Sequence, residues 1–351
     1  MTKRRVLFAP DYRAGIPYQT FLAEALRDYD LEVEYLSDYR RGLPLFRGCN
    51  TFSPNLVHIH WPEKYFQKKG DGWDMARVLR YPFDYWLTSN QYPTVLTAHN
   101  LFPHNRREET GVFRNVAFTV RKARAVFVHS EAARKQMSDT FGVTMSRCHI
   151  IPYGDHAVTM LPPIARNQAR EKLELPEDQK VCLVFGTVSP YKNSDAIVSF
   201  WVKRRIRHRL VIVGPVLSES FANQLRKLAD GNPMIDLRLT TEWLDDSALR
   251  YWLSAVDCAI FNYREIFTSG AAALARSFGL PLLIPERLTA ADLDEPHSHV
   301  LRFDTLDAGF REQLDRALAT PPSYELANEW REKTSWKRVA EITAAVYSEI
   351  L

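Results

Sequence analysis

The sequence predicts an α/β protein of two doubly wound, parallel-sheet domains, and two observations predict it. Short, nearly continuous apolar runs alternate with longer amphipathic segments along the whole chain, and the series restarts after Pro162-Pro163. A strand buried on both faces needs apolar residues at consecutive positions, and parallel neighbours need a helix-length crossover. At 351 residues the chain is long for one core and comfortable for two.

In the first series, residues 6–9, 33–36, 56–60, 94–98 and 125–129 read as strands, each rich in Val, Ile, Leu or Phe. In the second, 182–185, 210–213, 235–239, 258–261 and 281–284 do the same. The stretch 151–163 contains prolines and has no clear periodicity, so it marks a boundary. The expected organisation is a first domain at 1–160 and a second at 161–320. Pro321-Pro322 then introduces a C-terminal segment, 321–351, with helical patterns over 324–332 and 336–351.

Composition narrows the function classes. A hydrophobic content of 46% with 25% charged residues is ordinary for a globular protein. The formal net charge of +4 suits an anionic ligand or membrane surface, and without a basic stripe interleaved with aromatics it does not point to nucleic acid. Cys49, Cys148, Cys182 and Cys258 are scattered without a CxxC pair, which argues against a disulfide framework or zinc site and for a reducing compartment. The first apolar run is too short for a signal peptide, and no run approaches the ~20 residues of a membrane span. The expectation is a cytoplasmic protein, at most peripheral on the inner face of the cytoplasmic membrane. Lys64-Tyr65-Phe66-Gln67-Lys68-Lys69 and Tyr81-Pro82-Phe83-Asp84-Tyr85-Trp86 mix bases with large rings, and they nominate the first domain for an anionic membrane surface.

In open parallel sheets ligands bind beyond the carboxyl ends of the strands, so the residues following each strand carry most of the information. Gly186-Thr187-Val188-Ser189-Pro190-Tyr191-Lys192-Asn193 follows the first strand of the second domain and opens a helix. A glycine permits close backbone approach, and helix-start amides beside an ammonium form an anion site. Taken alone, the stretch is equally readable as a strand-to-helix turn with a solvated lysine. Phe261-Asn262-Tyr263-Arg264-Glu265-Ile266-Phe267-Thr268-Ser269-Gly270 precedes a helix of small residues, with Ser269 and Gly270 at its start. That pattern also fits a simple N-cap. Two anion sites in one domain reinforce each other, and a diphosphate would occupy both.

In the first domain, His58 and His60 share a strand face before Trp61-Pro62-Glu63, and Thr97-Ala98-His99-Asn100-Leu101-Phe102-Pro103-His104 follows another strand. A metal held by His58, His60 and His99 lacks accompanying ligand spacing, so no metal is expected. His58 and His60 read equally as satisfied core histidines, whereas His99 favours a functional role. The loop Asp11-Tyr12-Arg13-Ala14-Gly15-Ile16-Pro17 follows the first strand, where Gly15 allows tight passage beside a ligand and Asp11 is either a crevice carboxylate or a helix cap. Asp28-Tyr29-Asp30 and Asp292-Leu293-Asp294 match D-x-D, but neither follows a strand, and both read as surface charge.

These segments, in this order, resemble GT-B glycosyltransferases over nearly the whole chain. Gly186 to Asn193 and Ser269 to Pro281 look like that class's two diphosphate elements. His60-Trp61-Pro62-Glu63 together with His99-Asn100-Leu101 and His104 is more specific. It resembles bacterial exopolysaccharide mannosyltransferases of the GDP-mannose:glycolipid 4-β-mannosyltransferase kind, and more loosely the GT4 family. The resemblance implies two Rossmann-like domains facing a central cleft, the second binding a nucleotide sugar and the first an acceptor. It implies a C-terminal helix that crosses back to the first domain. It also implies Trp243 beside the base, with Gly186, Thr187, Lys192, Tyr263, Arg264, Glu265, Thr268, Ser269 and Gly270 around the donor. Gly15 and Trp61 would lie on the acceptor side. Two positions depart from the pattern: Thr187 stands where an arginine is usual, and Leu274 stands where the second glutamate of E-x7-E would fall. By the resemblance, Arg264 would stand in for the missing charge.

The expected function is hexose transfer, mannose favoured, from a nucleotide sugar such as GDP-mannose to a glycan or polyprenyl-diphosphate-linked oligosaccharide. The expected mechanism is inverting, without metal or other cofactor. An inverting reaction needs a base on the acceptor hydroxyl while cations and amides neutralise the leaving diphosphate. His99 and Asp11 rank first as base, then Glu63, with His104 behind them. The rivals are a retaining GT4-type transferase, a nucleotide-sugar 2-epimerase, which needs no acceptor, and a non-catalytic partner of a polysaccharide-synthesis complex, which needs no nucleotide affinity.

Overall fold

The computed structural model describes residues 3–14, 17–67, 73–101, 110–264, 267–288 and 298–351. The chain forms two compact units that part between Gly154 and Asp155.

The first unit holds β1 (Arg4–Ala9), α1 (Tyr18–Leu26), β2 (Leu31–Tyr35), α2 (Pro44–Phe52), β3 (Leu56–His60), α3 (Met75–Gln91), β4 (Thr94–Thr97), α4 (Thr110–Lys122), β5 (Ala125–Val128), α5 (Glu131–Phe141) and β6 (Cys148–Ile150). Its sheet is parallel throughout, in the order β2-β1-β3-β4-β5-β6. β3, β4 and β5 are buried at every position, as continuous apolar runs require of central parallel strands.

The second unit holds α6 (Arg166–Leu173), β7 (Val181–Phe185), α7 (Ser194–Arg204), β8 (Arg209–Pro215), α8 (Glu219–Ala229), β9 (Ile235–Thr240), α9 (Asp246–Ala255), β10 (Cys258–Ile260), α10 (Gly270–Ser277), β11 (Leu282–Pro285), β12 (Val300–Phe303), α11 (Ala308–Ala319) and α12 (Tyr324–Lys333). Its parallel sheet runs β12-β11-β10-β7-β8-β9. The final helix, α13 (Trp336–Ile350), belongs to the first unit. Val339, Ala340, Ala344 and Tyr347 of α13 join Tyr18, Leu22 and Leu26 of α1 in that unit's core. The expected C-terminal segment 321–351 therefore divides, with α12 remaining in the second unit. The unit boundary also precedes residue 160, because the Asp155 carboxylate accepts from Ser277 Oγ and Ala157 N within the second unit.

Both sheets reverse their strand order once, between β1 and β3 and between β7 and β10. Crossovers on either side of a reversal leave on opposite faces of the sheet, so the loops beyond those two strands diverge and open a crevice. The quoted motifs lie after these four strands, except the His99 segment, which follows β4 beside β3.

Candidate active site

In the second unit, Gly186 ends β7 with φ +87°, a conformation that disfavours any side chain, and a Cβ there would stand 2.7 Å from Lys192 Nζ. Gly214 of β8 approaches so closely that a Cβ there would collide with the Gly186 carbonyl. This packing folds the loop back and buries Lys192. Its Nζ donates to the Phe185 carbonyl at 3.1 Å and lies 5.2 Å from the Tyr263 ring centroid. Burial lowers the Lys192 pKa to about 7.

The loop after β10 is knit to this one. Arg264 N donates to the Tyr191 carbonyl at 2.9 Å, and the Tyr191 and Tyr263 rings lie 5.9 Å apart. Ser269 Oγ caps α10 by accepting from Ala272 N at 3.1 Å. Two buried hydroxyls, Ser189 Oγ and Thr268 Oγ1, have no hydrogen-bond partner among the described residues. Since buried polar atoms are nearly always paired, these mark a place that suits a polar ligand. Arg264 is exposed and Thr187 is buried.

The structure thus gathers Gly186, Lys192, Tyr263, Arg264, Ser269 and Gly270 onto two contiguous loops. Trp243 stands apart, 72% exposed after the edge strand β9, two strands from β7. Glu265 lies outside the described residues. Ser189 and Tyr191 were within the quoted motif but had no feature in the sequence to single them out.

In the first unit, the histidines form a buried aromatic ladder. Trp61 and His99 stack at 4.0 Å with an interplanar angle of 11°, and His60 and His58 stack at 4.1 Å. His60 Nδ1 and His99 Nε2 are 3.2 Å apart. His58 is fully engaged, by Tyr347 of α13 and by Thr97 Oγ1. It is a satisfied core histidine that fastens α13 to the sheet. Burial pushes the His58 and His60 pKa values well down, so both rings are neutral. Trp61 adopts a left-handed backbone, φ 46°, which is costly for a large side chain, and the stack on His99 and the Tyr12 ring 5.0 Å away hold it. Among the described residues, no three of His, Cys, Asp and Glu gather as a metal site.

Asp11 is held differently from what a base requires. Arg13 grips it in a fork, Nε to Oδ1 and Nη2 to Oδ2, both at 2.9 Å, and these hydrogen bonds lower its pKa. Gln19, buried in α1, pins the same loop through the Pro10 carbonyl and Tyr12 N. Glu63 follows the Trp61 turn, and burial raises its pKa. It lines a small pocket with Trp61, Thr97, His99 and Leu101. Gly15 and His104 lie outside the described residues.

Residues 5–154 match the family model described as Glycosyltransferase Family 4. The chain is 26% identical to a D-inositol 3-phosphate glycosyltransferase of Xylanimonas cellulosilytica, in an alignment covering 56% of this chain and about half, 51%, of that relative. It is 25% identical to the GDP-mannose:glycolipid 4-beta-D-mannosyltransferase of Xanthomonas campestris pv. campestris, over 95% of this chain and 88% of the relative. Among solved structures, sucrose-phosphate synthase of Thermosynechococcus elongatus superposes with a TM-score of 0.73 at 15% identity, covering 99% of each chain. The fold is GT-B. The residues matched by the family model contain the whole histidine ladder and the Asp11 loop, and the relatives are glycosyltransferases, the enzyme class read from the sequence.

Proposed function

We propose that this chain transfers a hexose, with mannose favoured, from a nucleotide-sugar donor to a glycan or lipid-linked oligosaccharide acceptor in bacterial polysaccharide synthesis. The observation that carries the donor reading is the pair of interlocked loops in the second unit. A buried ammonium, two unpartnered hydroxyls and the capped start of α10 converge there on one anion-binding place. The mannosyl and lipid-linked preferences draw on the relative that aligns with 95% of the chain.

In an inverting reaction Lys192, Arg264 and the α10 amides neutralise the leaving diphosphate without requiring a metal, and a base from the first unit takes the acceptor proton. His99 suits that task best, because its ring is positioned by Trp61 and His60. Glu63, whose pKa is raised, comes next. Asp11, gripped by Arg13 with its pKa lowered, is a weak base and serves instead to order its loop.

Calorimetric titration with GDP and UDP tests the donor site. Lys192→Ala and Arg264→Ala should each weaken diphosphate binding by about 1.5–3 kcal/mol, the worth of a charge-assisted contact. Unchanged affinity in both variants removes the assignment. Nucleotide-sugar turnover that continues without acceptor and yields a free 2-epimeric sugar would instead make the protein an epimerase.

A further inference from the structure

Helix α3 of the first unit carries a second apolar face, turned to solvent. Met75, Leu79, Phe83 and Trp86 are 60%, 76%, 54% and 44% exposed. Their spacing of four, four and three residues sets them in one stripe along the helix, about 16 Å long at 1.5 Å per residue. The opposite face, with Val78, Tyr81, Tyr85 and Thr88, is buried. Of the ring-rich segment 81–86, the structure therefore leaves mainly Phe83 and Trp86 outside, stacked with centroids 6.2 Å apart.

Charge around the stripe is one-sided. The only carboxylate of α3 is Asp84, and it points inward, accepting from Leu45 N and Phe46 N at the start of α2. No acid interrupts the exposed face. Arg80 borders it and donates to the Arg40 carbonyl, which brings the Arg40-Arg41 pair alongside. Arg47 and Arg77 are paired with Asp38 and Asp74, whereas Arg40, Arg41 and Arg80 have no ion-pair partner among the described residues.

We propose that α3 docks this face onto an anionic lipid surface, lying in the interfacial plane with Leu79, Phe83 and Trp86 inserted and Arg40, Arg41 and Arg80 at the headgroups. An apolar stripe flanked by arginines and free of carboxylates matches an interfacial helix. A second copy would be a poor occupant, because self-docking would set the same arginine margins against each other. The inference is independent of the donor site, which lies in the other unit.

Co-sedimentation with phosphatidylcholine vesicles, with and without phosphatidylglycerol, tests it at low and high salt. The expected result is binding to the anionic vesicles that weakens with salt. The triple variant Leu79→Ser, Phe83→Ser, Trp86→Ser should lower partitioning by about tenfold or more, and Arg41→Gln with Arg80→Gln should flatten the salt dependence. The far-ultraviolet circular dichroism and thermal unfolding of each variant, matched to those of the native protein, report that the first unit keeps its fold. Three results would overturn the proposal: no binding of the native protein to anionic vesicles at low salt, partitioning of the triple variant equal to native, or a native dimer in sedimentation velocity that the triple variant abolishes.

Discussion

Lys192 is a charged residue whose charge depends on its ligand. With its pKa brought to about 7 by burial, the free protein holds it about half protonated at neutral pH. A bound diphosphate favours the ammonium, so binding draws in a proton whenever the free side chain has lost it. Affinity should weaken above pH 7, by up to about tenfold per pH unit. Calorimetry at pH 8 in buffers of different ionisation heat should record about one proton taken up per nucleotide, an uptake that Lys192→Ala abolishes. His60 makes a second residue-scale case. Its 3.2 Å contact with His99 requires one ring to donate and the other to accept, so His60 fixes which His99 nitrogen carries the proton. His60→Phe keeps the stack and removes that bond. If His99 is the base, kcat should fall by about tenfold or more and the acid limb of its pH profile should move, with GDP affinity unchanged. Unaltered kcat and profile would dismiss His60 as a positioning residue.

At the scale of elements, α6 is riveted to the start of β7 by a buried ion cluster. Arg170 is fully buried, donating to the carbonyls of Ala255, Pro176, Glu177 and Gln179 and to Asp257 Oδ2 at 2.9 Å. Asp257 also accepts from Val181 N and pairs with Arg166 and Lys180. Removing one partner of such a pair strands the other charge, so Asp257→Leu should cost about 3–5 kcal/mol in urea denaturation. A loss under about 1 kcal/mol would mean that the carbonyls alone satisfy Arg170. The central strands were legible because continuous burial demands continuous apolar sequence. β6 and β12 were not: they are short edge strands of mixed polarity, Cys-His-Ile and Val-Leu-Arg-Phe, in which only Cys148, Leu301 and Phe303 are buried. The donor loops were visible as local motifs after strands. The His58–Tyr347 contact and the outward face of α3 were not, because each depends on which side chains of separate segments meet, or fail to meet, after folding.

Across the whole molecule, acid should act unequally on the two units. His58, His60 and His129 are buried in the first unit with pKa values lowered by burial, His129 to about 4. In the unfolded chain each titrates near ~6.5. The unfolded state therefore binds more protons between pH 6.5 and 4, and by linkage the stability of the first unit falls as pH drops through that window. His129 alone accounts for about 3 kcal/mol by pH 4, at 1.36 kcal/mol per unit. Glu63 and Asp84, whose pKa values are raised by burial, act in the opposite sense. Among the described residues of the second unit His208 is shifted this way, and that ring is partly exposed. The buried thiols give each unit its own reporter: Cys49 and Cys148 in the first, Cys182 and Cys258 in the second. Labelling with 4,4′-dithiodipyridine, which reacts under acid conditions, should reach Cys49 and Cys148 at lower urea than Cys182 and Cys258 at pH 5. The gap should narrow at pH 7.5, and His129→Phe should narrow it at pH 5. Simultaneous labelling of all four thiols at both pH values would show that the units unfold as one and that the buried histidines do not set acid stability.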